Sequence, residues 1–282
     1  MKPPYRDKFL ASQDNLNPDA IILGAPLDKT ESFRSGTKLA PERIRKASES
    51  LETFSPTLRK DLQDIVLCDW GDIKMEDSME ISLERIKEEL IRAREKAFTV
   101  IIGGEHTLTL GAVRALRKSF SPLFVIEFDA HLDLRESYEG EKICHATVAK
   151  RILEEIGGSF LIQLGVRSGT REEYEISKKC LLSTPEISIP SQLHDKIGDS
   201  AVYISIDVDV LDPSCAPGTS NPDPGGYDFK ELLLSLYELK FLNVVSMDVV
   251  EVSPPFDGGD ITSIAAAKLI RESILLFTNH LA

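Results

Sequence analysis

Residues 128–133, FDAHLD, place Asp129, His131 and Asp133 two apart directly after an apolar run. In an extended chain that spacing turns all three side chains to one face. Three such donors on one face suit a metal ion, although a solvated turn would use the same residues. Residues 203–213, YISIDVDVLDP, end a second apolar run with Asp207 and Asp209, again two apart. Two carboxylates so close repel in a low-dielectric setting unless a cation lies between them or one is protonated. A strand-end turn capped through Asp212 and Pro213 accounts for Asp212 but not for the alternation before it. The segment IIGGEH brings His106 to a strand-to-helix junction behind two glycines, which permit close backbone approach. Alone, such a histidine reads as a cap or a packing residue.

Two histidines and four aspartates are too many ligands for one ion and suit two divalent ions that share bridging carboxylates. Oxygen-rich, thiolate-free coordination favours Mn²⁺ or Mg²⁺ over Zn²⁺. Two ions a few ångströms apart lower the pKa of a water between them, so the natural reaction class is hydrolysis.

The elements that position these residues alternate along the chain. Strands are expected at 20–23, 65–68, 99–102, 123–128, 160–164, 202–206 and 244–249, with a weaker one near 181–183. Helices are expected at 41–52, 79–96, 107–118, 147–156, 229–239 and 262–277. Nearly continuous apolar strands alternating with amphipathic helices imply an α/β fold with a parallel sheet of about eight strands, covered on both faces. Residues 103–106, 129–145, 207–226 and 251–260 each follow a strand's carboxyl end, the edge at which open α/β sheets bind ligands.

Composition narrows the partners. The 282 residues carry 46 acidic and 33 basic side chains, a net charge of −13, which disfavours nucleic acid and anionic membrane surfaces. No stretch reaches the ~18 apolar residues of a membrane span. The first residues, MKPPYRDKFLASQD, lack an apolar signal core, so a cytoplasmic location is expected. The four cysteines form no CxxC pair and are expected to be reduced thiols with structural roles. Without a linker or internal repeat, the chain reads as one domain, residues 1–282.

The motifs GGEH, DAHLD, SIDVDVLDPSCAPGTSNPDPGG and SMDVVEVSPPFD resemble, in order, the metal and substrate motifs of the ureohydrolases, which include arginases and agmatinases. The resemblance runs from about Ile22 to the end. It implies a three-layer α/β/α sandwich and two Mn²⁺ per subunit. By the same resemblance, His106, Asp129, Asp133 and Asp207 would hold one ion, and His131, Asp129, Asp207 and Asp209 the other. Asp133 would also accept a hydrogen bond from the nucleophile. Glu251 matches the carboxylate that binds the substrate guanidinium; read alone, it could equally be a buried ion-pair residue. His145 matches the histidine that passes a proton to the departing amine, with Ala146 where glycine usually follows.

Specificity depends on the other end of the substrate. The loop LRESYEGEKIC, residues 134–144, looks like that of agmatinases, and Glu136, Glu139 and Glu141 would tolerate a terminal ammonium better than a carboxylate. Arg135 and Lys142 weaken that reading, and Ser220–Asn221 departs from the more usual Gly–Thr. The expected function is cleavage of agmatine to putrescine and urea, in polyamine synthesis, by a homo-oligomer (a trimer or hexamer). An arginase or guanidinobutyrase with the same mechanism, a one-zinc hydrolase and a non-catalytic metal-binding protein are the alternatives. His194 and His280 fit no motif and are expected at the surface.

Overall fold

The structure is a computed structural model that describes residues 8–278. Its centre is an eight-stranded sheet built from β1 (Ala20–Ala25), β4 (Leu67–Asp72), β5 (Phe98–Gly103), β6 (Leu123–Phe128), β7 (Leu161–Leu164), β8 (Leu182–Thr184), β9 (Ala201–Asp207) and β10 (Asn243–Val250). A short antiparallel pair, β2 (Phe54–Ser55) and β3 (Lys60–Asp61), stands apart. Every pairing in the main sheet is parallel, in the order β4-β1-β5-β10-β9-β6-β7-β8. The expected architecture is the observed one.

Alternation within each strand divides the core into two layers. Ile22, Val100, Ile126, Ile204 and Met247 face one way, onto α1 (Ala40–Ser48), α7 (Phe229–Glu238) and α8 (Ile261–Phe277). Ile21, Ile101, Val125, Tyr203 and Val245 face the other, onto α2 (Met79–Arg94), α3 (Leu108–Leu116) and α4 (Val148–Ile156). Helix α2 buries Leu83, Ile86, Leu90 and Ala93, the 3–4 spacing of one helical face, and Ser78 caps its first turn. No helix among the described residues is long and apolar enough to cross a membrane.

The structure departs from the sequence expectation at several elements, the short β2–β3 pair among them. The strand expected at 65–68 runs instead from Leu67 to Asp72, because β4 is the sheet edge and its second half need not be apolar. Two helices of seven residues, α5 (Arg171–Ser177) and α6 (Ser191–Ile197), were not expected. Helix α5 buries only Glu173, so it has no apolar stripe to betray it; its sequence signal is the capping box of Thr170 and Glu173.

Strand order decides where the chemistry lies. Strands β5, β10, β9 and β6 are neighbours in the middle of the sheet, although β6 follows β5 in the chain and β10 comes last. Register aligns their carboxyl ends: Phe128 pairs Ile206, Val249 pairs both Ile206 and Ile102, and Val250 pairs Asp207. The residues that follow these strands therefore converge on one crevice, at a reversal of strand order.

Candidate metal centre and active site

The β5 loop enters the crevice over Gly104, where a Cβ would lie 1.9 Å from the Leu27 carbonyl oxygen. Only glycine fits so close an approach. Backbone bonds stitch three loops there: Gly104 N donates to Ala25 O, Glu105 N to Leu27 O and Glu251 N to Gly104 O, at 2.8–2.9 Å. His106 is thereby fixed, with its ring buried beneath the β6 and β9 loops.

His106 Nδ1 lies 3.0 Å from Asp129 Oδ2, 3.4 Å from Asp133 Oδ2 and 3.6 Å from Asp207 Oδ2. His131 Nδ1 lies 2.8 Å from Asp209 Oδ2 and 3.6 Å from Asp129 Oδ1. His106, Asp129 and Asp133 form one group of potential ligands, and Asp129, His131 and Asp209 a second, the donor atoms of each within 4.8 Å of one another. The two groups share Asp129. Asp207 sends Oδ2 toward His106, while its Oδ1 accepts from Asp209 N at 2.8 Å. Asp209 Oδ1 in turn accepts from Ala130 N at 3.0 Å. Arg167 Nη2 holds the β9 loop by donating to the carbonyls of Asp209 and Asp223, both at 2.7 Å. All six residues singled out from the sequence as ligand candidates are therefore side by side.

Negative charge is crowded in this cluster. Burial holds Asp207 well above the ordinary carboxyl range, and the charges of Asp209, Asp129 and Glu251 push it further. Burial and the Asp129 charge also raise Asp133. Burial opposes a charge on His131, yet Asp209 and Asp129 carry it up to about 12. His106 is likewise raised despite burial, through its contacts with Asp129 and Asp133. Protons are held where negative charge is in excess, and divalent cations answer the same need. The His106 ring supports this directly. Its buried Nδ1 makes no hydrogen bond, while Nε2 lies 3.0 Å from Ser205 Oγ. The donor set fits divalent ions, and Asp129 belongs to both groups of donors.

Glu251 stands beside this cluster in a left-handed backbone conformation, φ 66°, as does Asp133 at φ 49°. Such conformations in non-glycine residues cost roughly 1–3 kcal/mol each and mark over-determined sites. The Glu251 carboxylate accepts from His106 N and Ser220 Oγ. Burial raises its pKa, whereas a hydrogen bond from Glu31 and the charge of His145 lower it. Glu31 is the protonated partner: burial and the Glu251 charge push it up to about 11. Ser220 thus supports Glu251, and Asn221 Nδ2 lies 3.3 Å from His131 Nε2, so the unusual Ser–Asn pair sits within the site.

A cavity of about 200 Å³ opens onto the cluster, with His131 and Asp133 in its lining beside Ser32, Arg135, Tyr138, His145, Glu173 and Asn221. A larger hollow of about 680 Å³ lies at the β4 edge, lined by Asp72, Arg85 and Arg92, and is remote from this chemistry. The Tyr138 ring meets His145 edge-on, centroids 5.8 Å apart, and Arg135 stacks on Tyr138 at 4.9 Å. The charge expectation for the 134–144 loop needs correction. Glu136 pairs with Lys150 and Arg151, and neither Glu139 nor Glu141 lines the cavity; the carboxylates there are Asp133 and Glu173, the latter held by Leu134 N and Thr170 N. A loop's charges do not show which of them turn inward.

The remaining sequence expectations fall as follows. All four cysteines are free thiols, Cys68 and Cys144 buried. His194 is partly exposed on α6, and His280 lies outside the described residues. Sequence reasoning missed Thr30, Glu31 and Ser32, which come from the loop after β1. The same rule that flagged the other loops, polar residues directly after a strand's carboxyl end, would have found them.

Comparison with known proteins agrees with this geometry. A profile described as the arginase family matches residues 18–276. An agmatinase of Bacillus subtilis (strain 168) is 39% identical over 277 residues, covering 95% of this chain and 96% of that protein. A mitochondrial arginase 1 of Oryza sativa subsp. indica is 32% identical, covering 94% and 83%. The crystal structure of the agmatine ureohydrolase of Thermoplasma volcanium superposes with a TM-score of 0.87 at 30% identity, covering 98% and 96%. Because the match runs through every loop that feeds the crevice, the chain belongs to the arginase family.

Proposed function

We propose that this protein is an agmatinase, hydrolysing agmatine to putrescine and urea with two Mn²⁺ per subunit. The observation that carries the reading is the pair of His/Asp groups sharing Asp129 beside the buried carboxylate of Glu251. His106, Asp129, Asp133 and Asp207 would hold one ion, and His131, Asp129, Asp207 and Asp209 the other. When bound, the two ions supply the Lewis acidity that makes water a competent nucleophile near neutral pH.

The protein's own residues supply the rest. Glu251 accepts parallel hydrogen bonds from the planar guanidinium and fixes its carbon against the metal ligands. Asp133, at the cavity wall, accepts a hydrogen bond from the attacking water and orients it. His145, at the cavity wall, gives a proton to the departing amine, which leaves poorly without one. The choice of agmatine over arginine follows the relatives, 39% identity against 32%. A single domain, a cytoplasmic homo-oligomer and a place in polyamine synthesis belong to the same proposal.

The test is urea release by the Mn²⁺-loaded protein from agmatine, arginine and guanidinobutyrate in parallel. Strong preference for agmatine, with putrescine as co-product, is expected. Preference for arginine would overturn the substrate while keeping the chemistry, and urea from none of them would overturn the reading.

A further inference from the structure

Glu105, fully buried next to His106, is surrounded by donors. The backbone amides of Lys29 and Thr30 both donate to Oε2, the latter at 2.8 Å. The hydroxyls of Thr30 and Thr107 both donate to Oε1, the former at 2.7 Å. Glu105 is therefore an acceptor on all sides, and it takes the one proton that the Thr30 hydroxyl has to give. Two contacts remain to Thr30 Oγ1, both 3.2 Å long: the backbone N–H of His145 and the His145 ring at Nδ1. A hydroxyl oxygen that has spent its only proton can fill its two lone pairs only by accepting.

We propose that Thr30, oriented by Glu105, is a positioning residue that holds the His145 proton on Nδ1 and leaves Nε2 as the nitrogen that serves the cavity. In the neutral imidazole one ring nitrogen donates and the other accepts, and the partner of the first decides which. With Nδ1–H committed to Thr30, the Nε2 lone pair faces Ser32 Oγ, 3.3 Å away on the cavity wall. A protonated ring keeps the same bond to Thr30, so the imidazole gains and loses its proton at Nε2 without turning. Tyr138 packed against the ring edge restrains it further. A histidine so held offers its proton from one fixed atom, which general acid catalysis needs because the rate depends on donor–acceptor alignment. The loop that carries Thr30 is itself pinned, with Gly36 N donating to Asp28 Oδ2 at 3.0 Å.

This inference rests on the proposed role of His145, and a double-mutant cycle separates the two. Thr30→Val, Thr30→Ser, His145→Ala and the Thr30→Val/His145→Ala double variant are compared as Mn²⁺-loaded enzymes for urea release from agmatine, with metal content measured for each. Thr30→Val is expected to lower kcat about 10-fold or more, with KM within about 3-fold and metal content unchanged. Thr30→Ser keeps the hydroxyl and restores most of the rate. In the His145→Ala background, Thr30→Val adds less than about 2-fold, because the group it positions is gone. An equal loss from Thr30→Val with and without His145 overturns the inference and leaves the proposed function standing. So does an unaltered Thr30→Val rate, or a Thr30→Ser variant as slow as Thr30→Val. A His145→Ala enzyme as fast as its parent overturns the proposed role of His145 itself, and the inference with it.

Discussion

The Ser205 hydroxyl joins His106 to Asp248: its oxygen lies 3.0 Å from His106 Nε2 and donates to Asp248 Oδ1 at 2.6 Å. Having given up its proton, Ser205 accepts from Nε2–H, which leaves the Nδ1 lone pair directed at Asp129 and its neighbours. Asp248 is kept in place by the hydroxyls of Tyr203 and Thr109. Outer partners of this kind typically govern metal affinity by about 10- to 100-fold. Ser205→Ala is therefore expected to weaken binding of the ion that His106 would hold by that order while leaving the fold intact. Competition with a chromophoric chelator reads it, and unchanged affinity would show that Ser205 does not orient the ring.

Substitution inside the cluster has a larger effect. Asp209→Asn removes the charge facing His131 Nδ1 at 2.8 Å, and Asp133→Asn the carboxylate 3.4 Å from His106 Nδ1. Each variant is expected to lose metal and nearly all turnover, and EDTA to do the same reversibly in the parent. Full manganese content with unchanged activity in Asp209→Asn would remove it from the ligand set.

Glu31 gives a pH dependence whose sign is determined. Its carboxyl is pushed up to about 11, first by burial and then by Glu251, with Glu105 adding to the effect and Thr37 opposing it. The folded chain keeps a proton there that the unfolded chain releases above the ordinary carboxyl value, so stability declines as pH rises through that window. Glu31→Gln abolishes this contribution. Without substrate, the parent's Tm is expected to fall more steeply than the variant's between about pH 6 and pH 9. Parallel curves would show that Glu31 is ionised in the folded protein.

Away from the site, Arg45 supplies a stability test. Its guanidinium pairs with Asp69 through Nε at 2.8 Å and Nη2 at 3.0 Å, and Nη1 reaches Asp72. The Asp69 side chain is completely buried. Arg45→Ala leaves that carboxylate with the backbone donors Phe9 N and Gly71 N but no countercharge, and removing one partner of a buried pair costs about 3–5 kcal/mol. The urea midpoint of unfolding should drop accordingly, and a change below about 1 kcal/mol would show that Asp69 finds water or another donor.

Local spacing determined much of this protein. Residue types and spacing made Asp129, His131, Asp133, Asp207 and Asp209 legible as ligand candidates. Strand alternation is not what unites them: β6 ends at Phe128 and β9 at Asp207, Asp133 has a left-handed backbone and Asp209 lies in a 3-10 turn at Val208–Val210, so the loop conformations bring them together. Strand-helix alternation was equally local, and so the layered fold was legible. Tertiary structure alone decided that β10 lies between β5 and β9, which carries Glu251 to the His106 backbone across 145 residues of chain. It alone brought Thr30 to His145 and Glu31 to Glu251, and turned Glu136 away from the cavity toward Lys150. Periodicity states which face a side chain takes within its own strand; which strands become neighbours, and how a loop closes over them, depends on crossovers and packing among distant segments.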